Sequence, residues 1–174
     1  LDDVRQTDVG NEDRLPAAHL SRGDTWHAVV VVSDGTDTTE ATSDAVLIGN
    51  APPTVSVVWP EDAHSLTDLV PVISVVDVDG DSTSFTTTWY KNGFRDAALA
   101  NATSVPVEKL APEQTWRLVV ESTDGATEGQ TVDTMVSLVN LNPTAVIETK
   151  TSRVFIGETT VLSADASTDV DGEI

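Results

Sequence analysis

Residues 23–35 read GDTWHAVVVVSDG, and residues 113–125 read EQTWRLVVESTDG. The two stretches place Trp26 and Trp116 90 positions apart (116 − 26). Five further identical pairs share this offset: Pro16 and Pro106, Leu20 and Leu110, Asp34 and Asp124, Asn50 and Asn140, and Pro53 and Pro143. Six ungapped identities at one offset of 90 residues indicate an internal repeat.

Both copies of the stretch alternate as a β-strand does. The predicted inward face carries Trp26, Ala28, Val30 and Val32 in the first copy, and Trp116, Leu118 and Val120 in the second. Successive side chains of a strand point to opposite faces, so this period of two predicts a half-buried strand. The Asp-Gly pairs at 34–35 and 124–125 predict the turn that follows, because Gly accepts positive φ and Asp bonds its own backbone.

The rest of the chain is also typical of strands. Further strands are predicted over residues 54–59, 70–76, 84–90 and 132–139, which are rich in Val and Thr. No stretch has convincing helical periodicity. The spacing corresponds to about seven strands per repeat. It therefore predicts an all-β chain of antiparallel sheets, in which each repeat is a β-sandwich.

A second repeated motif divides the chain. Residues 77–81 read DVDGD and residues 169–173 read DVDGE, an offset of 92 (169 − 77). Pro-containing joints stand at 50–53 and 140–143, and proline makes such a joint short and stiff. We therefore expect 1–49 to be the C-terminal half of a repeat, 50–141 a complete repeat and 142–174 the N-terminal half of a third.

Composition excludes several classes of function. The net charge is -20, from 29 acidic and 9 basic residues, which argues against a nucleic-acid partner because phosphate binding needs a basic surface. The chain has no cysteine, so it has neither disulfides nor thiolate sites. No apolar run reaches the length of a membrane span, so direct membrane insertion is not expected. The chain begins at Leu1 rather than Met, and we expect it to be a segment of a longer protein.

The pattern around Trp89-Tyr90-Lys91-Asn92-Gly93 resembles the third strand of an immunoglobulin-like (Ig-like) domain, where a Trp enters the core and Asn-Gly closes a hairpin. Together with the Asn-x-Pro joint, the DVDGD motif and the Thr-Trp and Asp-Gly pairs, it is similar to tandem Ig-like repeats of bacterial and archaeal surface proteins. Residues 145–147, 157–158 and 163–174 resemble the beginning of a polycystic-kidney-disease (PKD) type domain. The resemblance implies tandem Ig-like sandwiches arranged as beads on a string, outside the cell.

The DVDGD motif carries the candidate metal site. Asp77, Asp79 and Asp81, and likewise Asp169, Asp171 and Glu173, are candidate ligands because Ca²⁺ takes clustered carboxylate and carbonyl oxygens. The spacing departs from an EF-hand, since Gly80 comes too early and no Glu closes the loop. The alternative is a β-turn whose Asp side chains accept backbone N–H groups. No cofactor is required in either case, and Ca²⁺ is the one candidate.

Three further groups of residues are candidates for a structural or functional role. Trp26, Trp89 and Trp116 are expected in cores. Trp59, before Pro60, is a candidate for contact with a ligand or a neighbouring domain, and packing between domains is the favoured alternative. Asn101 begins an Asn-Ala-Thr glycosylation sequon. Neither a metal-binding His pair nor a nucleophile or phosphate-loop motif occurs, so no catalytic residue and no enzyme activity are expected.

The expected function is structural or adhesive. The chain would be a non-catalytic extracellular spacer, or a building block of a cell-surface protein, sheath, filament or surface layer. Its partners would be neighbouring repeats of the same polypeptide, copies of itself, or a surface glycan or protein. The alternative is a carbohydrate- or protein-binding accessory module of a secreted hydrolase. Assembly through the two half repeats, whose sheet edges would be free, is a further alternative.

Overall fold

The computed structural model describes residues 4–6 and 13–172. Within them the chain is all-β with antiparallel sheets, and its only helices are 3-10 turns of three residues. The strands of the first segment (1–49) are β1 (Thr25–Trp26), β2 (Val29–Ser33), β3 (Thr38–Thr42) and β4 (Val46–Leu47). Those of the central repeat (50–141) are β5 (Thr54–Val58), β6 (Val72–Val76), β7 (Ser84–Lys91), β8 (Phe94–Arg95), β9 (Thr115–Thr123) and β10 (Glu128–Ser137). The third segment (142–174) contributes β11 (Glu148–Thr149) and β12 (Leu162–Ser163).

A four-stranded antiparallel sheet in the order β10-β9-β7-β8 forms the largest part of the central repeat. The β7–β8 hairpin turns at Asn92 and Gly93, whose φ angles are 50° and 86°. Positive φ at both central residues is what a two-residue hairpin needs, and Asn-Gly supplies it most readily. The predicted hairpin is thus confirmed. The predicted strands 84–90 and 132–139 are present as β7 and β10, with β10 beginning four residues earlier than expected.

The core of the described residues lies entirely within the central repeat. Its buried apolar side chains are Val55, Ala63, Leu69, Trp89, Leu99, Val105, Trp116, Leu118, Val120 and Leu138. Trp116, Leu118 and Val120 alternate along β9 and are each 0% exposed, which confirms the predicted inward face. Trp89 packs edge-to-face on Trp116, with ring centroids 6.3 Å apart.

The two-stranded sheet β5–β6 covers this core from the other side. Val55 of β5 is buried, and Val57, Ile73 and Val75 pack against the core cluster. These apolar side chains alternate with exposed residues along both strands, so each strand turns one face inward. The central repeat is therefore two sheets that share one core.

The first segment has the expected strand pattern without the expected burial. The predicted strand 26–32 is divided into β1 and β2, which pair with β4 and β3 respectively. Val30 and Val32, on the face predicted to be inward, are each 58% exposed, and Trp26 is only half-buried. The reason is that no second sheet covers this hairpin among the described residues.

The third segment is likewise open. β11 and β12 pair over two residues each, and Thr144 bridges to Thr168. Its apolar side chains are largely exposed, with Ile147 at 73% and Phe155 at 68%. An apolar sequence pattern alone therefore does not bury a strand, because burial needs an opposing layer.

Candidate functional site

The joint between the first segment and the central repeat is organised around Asn50. Its side-chain N–H₂ group donates to Asp124 Oδ2 at 2.6 Å and to Thr127 Oγ1 at 2.8 Å, and lies 3.3 Å from the Ala51 carbonyl oxygen. Asp124 and Thr127 belong to the turn between β9 and β10. The start of the central repeat is thereby attached to a turn more than 70 residues further along the chain.

The β9–β10 turn is held by the Asp124 carboxylate. Its Oδ1 accepts from the backbone N–H groups of Thr127 at 2.6 Å and Ala126 at 2.7 Å. The hydrogen bond from the Thr127 backbone N–H contributes most to lowering the pKa of Asp124, and the bond from the Asn50 amide contributes next. Together these bonds hold that pKa well below its usual range. The same turn recurs in the first segment, where the backbone N–H groups of Asp37 and Thr36 lower the pKa of Asp34. The repeated Asp-Gly turn is thus confirmed.

The Asp loop (residues 77–81) contacts the same joint from the other side. Asp77 Oδ1 accepts from the backbone N–H of Asp79 at 2.8 Å and of Asp81 at 3.4 Å. Asp79 Oδ2 accepts from the backbone N–H of Ala51 at 2.7 Å. The first Asp therefore shapes the loop, and the second holds the backbone that follows Asn50.

Asp81 links the two sides of the joint. Its carboxylate pairs with the guanidinium of Arg22 in the first segment. Both side chains are partly exposed, and pairs of this kind contribute at most about 1 kcal/mol because solvent screens them. The pair nevertheless restrains orientation, since Arg22 and Asp81 lie on opposite sides of the Asn50 joint.

The joint also contains two oxygen atoms without a hydrogen-bond partner. Asp77 Oδ2 and Asn50 Oδ1 are both buried and unpaired. Ligand oxygens of Asp77, Asp79 and Asp81 lie within 4.8 Å of one another, the one acidic or histidine cluster of this kind among the described residues. Ca²⁺ binds such carboxylate and amide oxygens, so the donor types fit the cation that the sequence suggested.

The second joint repeats the Asp-loop bonds of the first. The backbone N–H of Leu141 donates to Asp171 Oδ2 at 3.1 Å, as Ala51 does to Asp79. Asp171 N–H in turn donates to Asp169 Oδ1 at 3.2 Å. Asn140 Nδ2 lies 3.1 Å from the Leu141 carbonyl oxygen, like Asn50 and Ala51. The predicted ligand Glu173 lies outside the described residues.

The structure places Trp59 inside the central repeat. Its ring packs edge-to-face on Trp89 with centroids 5.9 Å apart, and its Nε1 donates to Thr134 Oγ1 at 3.1 Å. Asn101 lies in a loop, is exposed and has a positive φ of 60°. Its backbone N–H donates to the Thr87 carbonyl oxygen. The sequon is therefore on the surface, far in sequence from the two joints.

Sequence reasoning identified the Asp loops but missed their partners. Arg22 gave no signal, because its counterpart at the 90-residue offset is Pro112. Asn50 did give a signal, because Asn140 stands at the 90-residue offset from it. The pair, however, predicts only where the repeats begin and end. The recurrence of Asn at both joints is the signal by which a contact of Asn50 could have been predicted, although it does not identify Asp124 as the partner.

Comparison with known proteins found no matching family model, no matching curated protein and no matching solved structure. Among the described residues, no helix is long and apolar enough to cross a membrane.

Proposed function

We propose that this chain is a non-catalytic structural segment of an extracellular array of Ig-like β-sandwich repeats, in which ordered joints set the orientation of consecutive repeats. The observation that carries the proposal is the recurrence of one bond at both joints. Ala51 N–H donates to Asp79, and Leu141 N–H donates to Asp171. A bond repeated at equivalent positions has a role common to both joints.

The contacts at the first joint support a stiff connection. Asn50 is bonded to the β9–β10 turn, and Ala51 is bonded to the Asp loop. Proline at 52 and 53 fixes two further φ angles. The Asn50 side chain, the Ala51 backbone and the proline φ angles are thus all restrained. Such a linker has little conformational freedom, and a spacer needs a linker of this kind.

Surface charge supports an extracellular, non-aggregating role. A net charge of -20 on 174 residues makes neighbouring chains repel one another, and Lys and Arg are too few to attract nucleic acid. An antibody against the chain, applied to intact cells that make the parent protein, tests the location. Labelling only after permeabilisation contradicts it.

The test of the joint is a distance measurement across it. The chain contains no cysteine, so spin labels can be placed at Thr39→Cys and Thr103→Cys on opposite sides of the joint. We expect a narrow distance distribution by pulsed electron resonance, which broadens in Asp79→Asn and Arg22→Gln. Asp62→Asn, an exposed carboxyl with no bond to the joint, is the matched control. A broad distribution in the otherwise unsubstituted chain would overturn the proposal.

The alternative function, a carbohydrate- or protein-binding module, would need a row of exposed aromatic rings. Phe94 is 80% exposed. Trp59 is instead packed on Trp89, and the Tyr90 ring is covered by the guanidinium of Arg117 at 4.6 Å. Because Trp59 and Tyr90 are covered, they form no solvent-facing row with Phe94, and we retain the spacer as the proposed function.

A further inference from the structure

Strand β2 uses only one of its two edges. It pairs with β3 from Val29 to Ser33, and no strand pairs with its other edge among residues 13–172. The equivalent strand of the central repeat, β9, pairs with β10 on one side and with β7 on the other. The unpaired edge of β2 thus corresponds to the edge at which β9 binds β7, and such an edge accepts a strand from another segment.

The apolar face of β2 is open at the same place. Val30 and Val32 are each 58% exposed, whereas Val120 and Ser122, their counterparts at the 90-residue offset, are 0% and 4% exposed. In the central repeat the covering residues include Trp89 of β7 and Val55 of β5. The central repeat therefore shows which kind of residue covers the apolar face of a strand like β2.

A polar atom of the first segment also lacks a partner. The indole Nε1 of Trp26 is buried and makes no hydrogen bond. Its counterpart, Trp116 Nε1, donates to Gln114 Oε1 at 3.2 Å. Asp24 stands in the place of Gln114, and its Oδ2 accepts from Ser21 N–H instead. No described residue of the first segment accepts a hydrogen bond from Trp26 Nε1.

We propose that β2 and its valine face bind the front half of a repeat, a polypeptide segment patterned like residues 51–102 and led by a strand of the β7 type. The register follows from the central repeat, where Trp89 lies opposite Leu118 and Ser84 opposite Thr123. The incoming strand is antiparallel to β2, with its Trp opposite Ala28 and its first residue opposite Ser33. This inference rests on the repeat and not on the extracellular role proposed above.

A second copy of this chain is a poorer occupant. The third segment contains no tryptophan, and its strands β11 and β12 have two residues each. The β7 strand of a second copy is already paired with β8 and β9. Repulsion between two chains of charge -20 opposes association further.

The test is a fusion that supplies the missing half within the full chain. A second copy of residues 51–102 replaces residues 1–12, so that the copied Ala102 precedes Asp13, the counterpart of Thr103. We expect amide hydrogen exchange at Val29–Ser33 to slow by about tenfold or more, and Trp26 emission to shift to shorter wavelength. The amides of β9 in the original central repeat are the internal reference.

Two controls make the outcome decisive. Trp89→Ala in the copied segment should reduce the slowing of amide exchange at Val29–Ser33. Val30→Thr should reduce it as well in the fusion, and should change the exchange rates little in the unfused chain. Unchanged exchange at Val29–Ser33, in a fusion whose original β9 remains protected, would overturn the proposal. Protection that rises with concentration in the unfused chain would assign the face to a second copy and would overturn it too.

Discussion

The side-chain amide nitrogen of Asn50 lies 2.6 Å from a carboxylate oxygen of Asp124, across 74 positions of sequence. This bond joins the first residue of the central repeat to the turn between its last two strands. Each of the two side chains also bonds Thr127, so the three residues form one polar network. The network holds the first residue of the central repeat against its β9–β10 turn.

We predict that Asn50→Ala lowers the free energy of unfolding by about 1–2 kcal/mol, because it removes a charge-assisted bond at a partly buried site. Urea unfolding followed by circular dichroism measures the change. Asn140→Ala is the matched control, since the Asn140 side chain is exposed and its one described bond is to the adjacent Leu141 carbonyl. Equal losses in the two variants would contradict a special role for the Asn50 network.

The same network predicts a pH dependence. The pKa of Asp124 is lowered in the folded chain, mostly by the hydrogen bond from the Thr127 backbone and next by the bond from Asn50. The ionised carboxylate therefore stabilises the folded chain fully at pH values above its unfolded pKa of about 4. This stabilisation is lost as the pH falls below that value towards the folded pKa. Asp124→Asn should therefore flatten the fall in stability between about pH 4 and pH 2. The measurement is urea unfolding at a series of pH values.

Asp165→Asn is the control for this experiment, because the Asp165 side chain is exposed and the side-chain bond described at this residue is donated by its backbone N–H to Ser163 Oγ. If the free energy of unfolding falls equally with decreasing pH in both variants, the acid sensitivity comes from other carboxylates. Asp96 and Asp133, whose pKa values are lowered chiefly by hydrogen bonds to Lys109 and Arg117, are the next groups to substitute.

The tryptophans provide a matched pair for the core. Trp89 is 0% exposed and its Nε1 donates to the Ala102 carbonyl at 2.7 Å. Trp89→Phe should lower the free energy of unfolding by about 2–3 kcal/mol, through lost packing and an unpaired carbonyl. Trp26→Phe should cost less than about 1 kcal/mol, because Trp26 is half-buried and its Nε1 has no partner. Similar costs in urea unfolding would contradict the difference in packing between the two tryptophans.

Much of the central repeat could be predicted from its sequence, for local reasons. Period-two alternation gave the inward face of β9, and Asn92-Gly93 gave the β7–β8 hairpin. Both signals act over a few residues. Burial of Val30 was predicted by the same rule and is not found, because burial depends on a covering sheet that alternation alone does not specify.

The joint was predicted less completely. The spacing of Asp77 and Asp79 indicated either a turn or a metal site, and the structure shows that Asp77 shapes the turn. The bond from Ala51 to Asp79 and the pairing of Arg22 with Asp81 bring together distant positions. No local pattern encodes such contacts, since they depend on how one segment is placed against the next.

Glycine provides a sharp test of how β10 meets the joint. A Cβ at Gly129 would lie 2.4 Å from the Pro53 carbonyl oxygen and 2.4 Å from Ser122 Oγ. Gly129→Ala should therefore cost about 1–3 kcal/mol, because the bond from Gln130 N–H to that carbonyl must be displaced. Gly49→Ala, with no atom within 4 Å of the new Cβ and no positive φ, is the control and should be near neutral. Thermal melting of both variants distinguishes them.

Calcium binding by Asp77, Asp79 and Asp81 stays a prediction, and thermal melting tests it directly. A cation at this loop would give the buried Asp77 Oδ2 atom the partner that it lacks. At a hundredfold excess over its Kd, calcium would stabilise the folded chain by about 3 kcal/mol, enough to raise the melting temperature by several degrees, and a chelator would reverse the shift. Asp77→Asn should abolish the shift while its remaining side-chain oxygen still accepts the Asp79 N–H, and Asp62→Asn should retain it. A melting temperature that calcium leaves unchanged would mean that the carboxylates act through direct bonds to the joint alone.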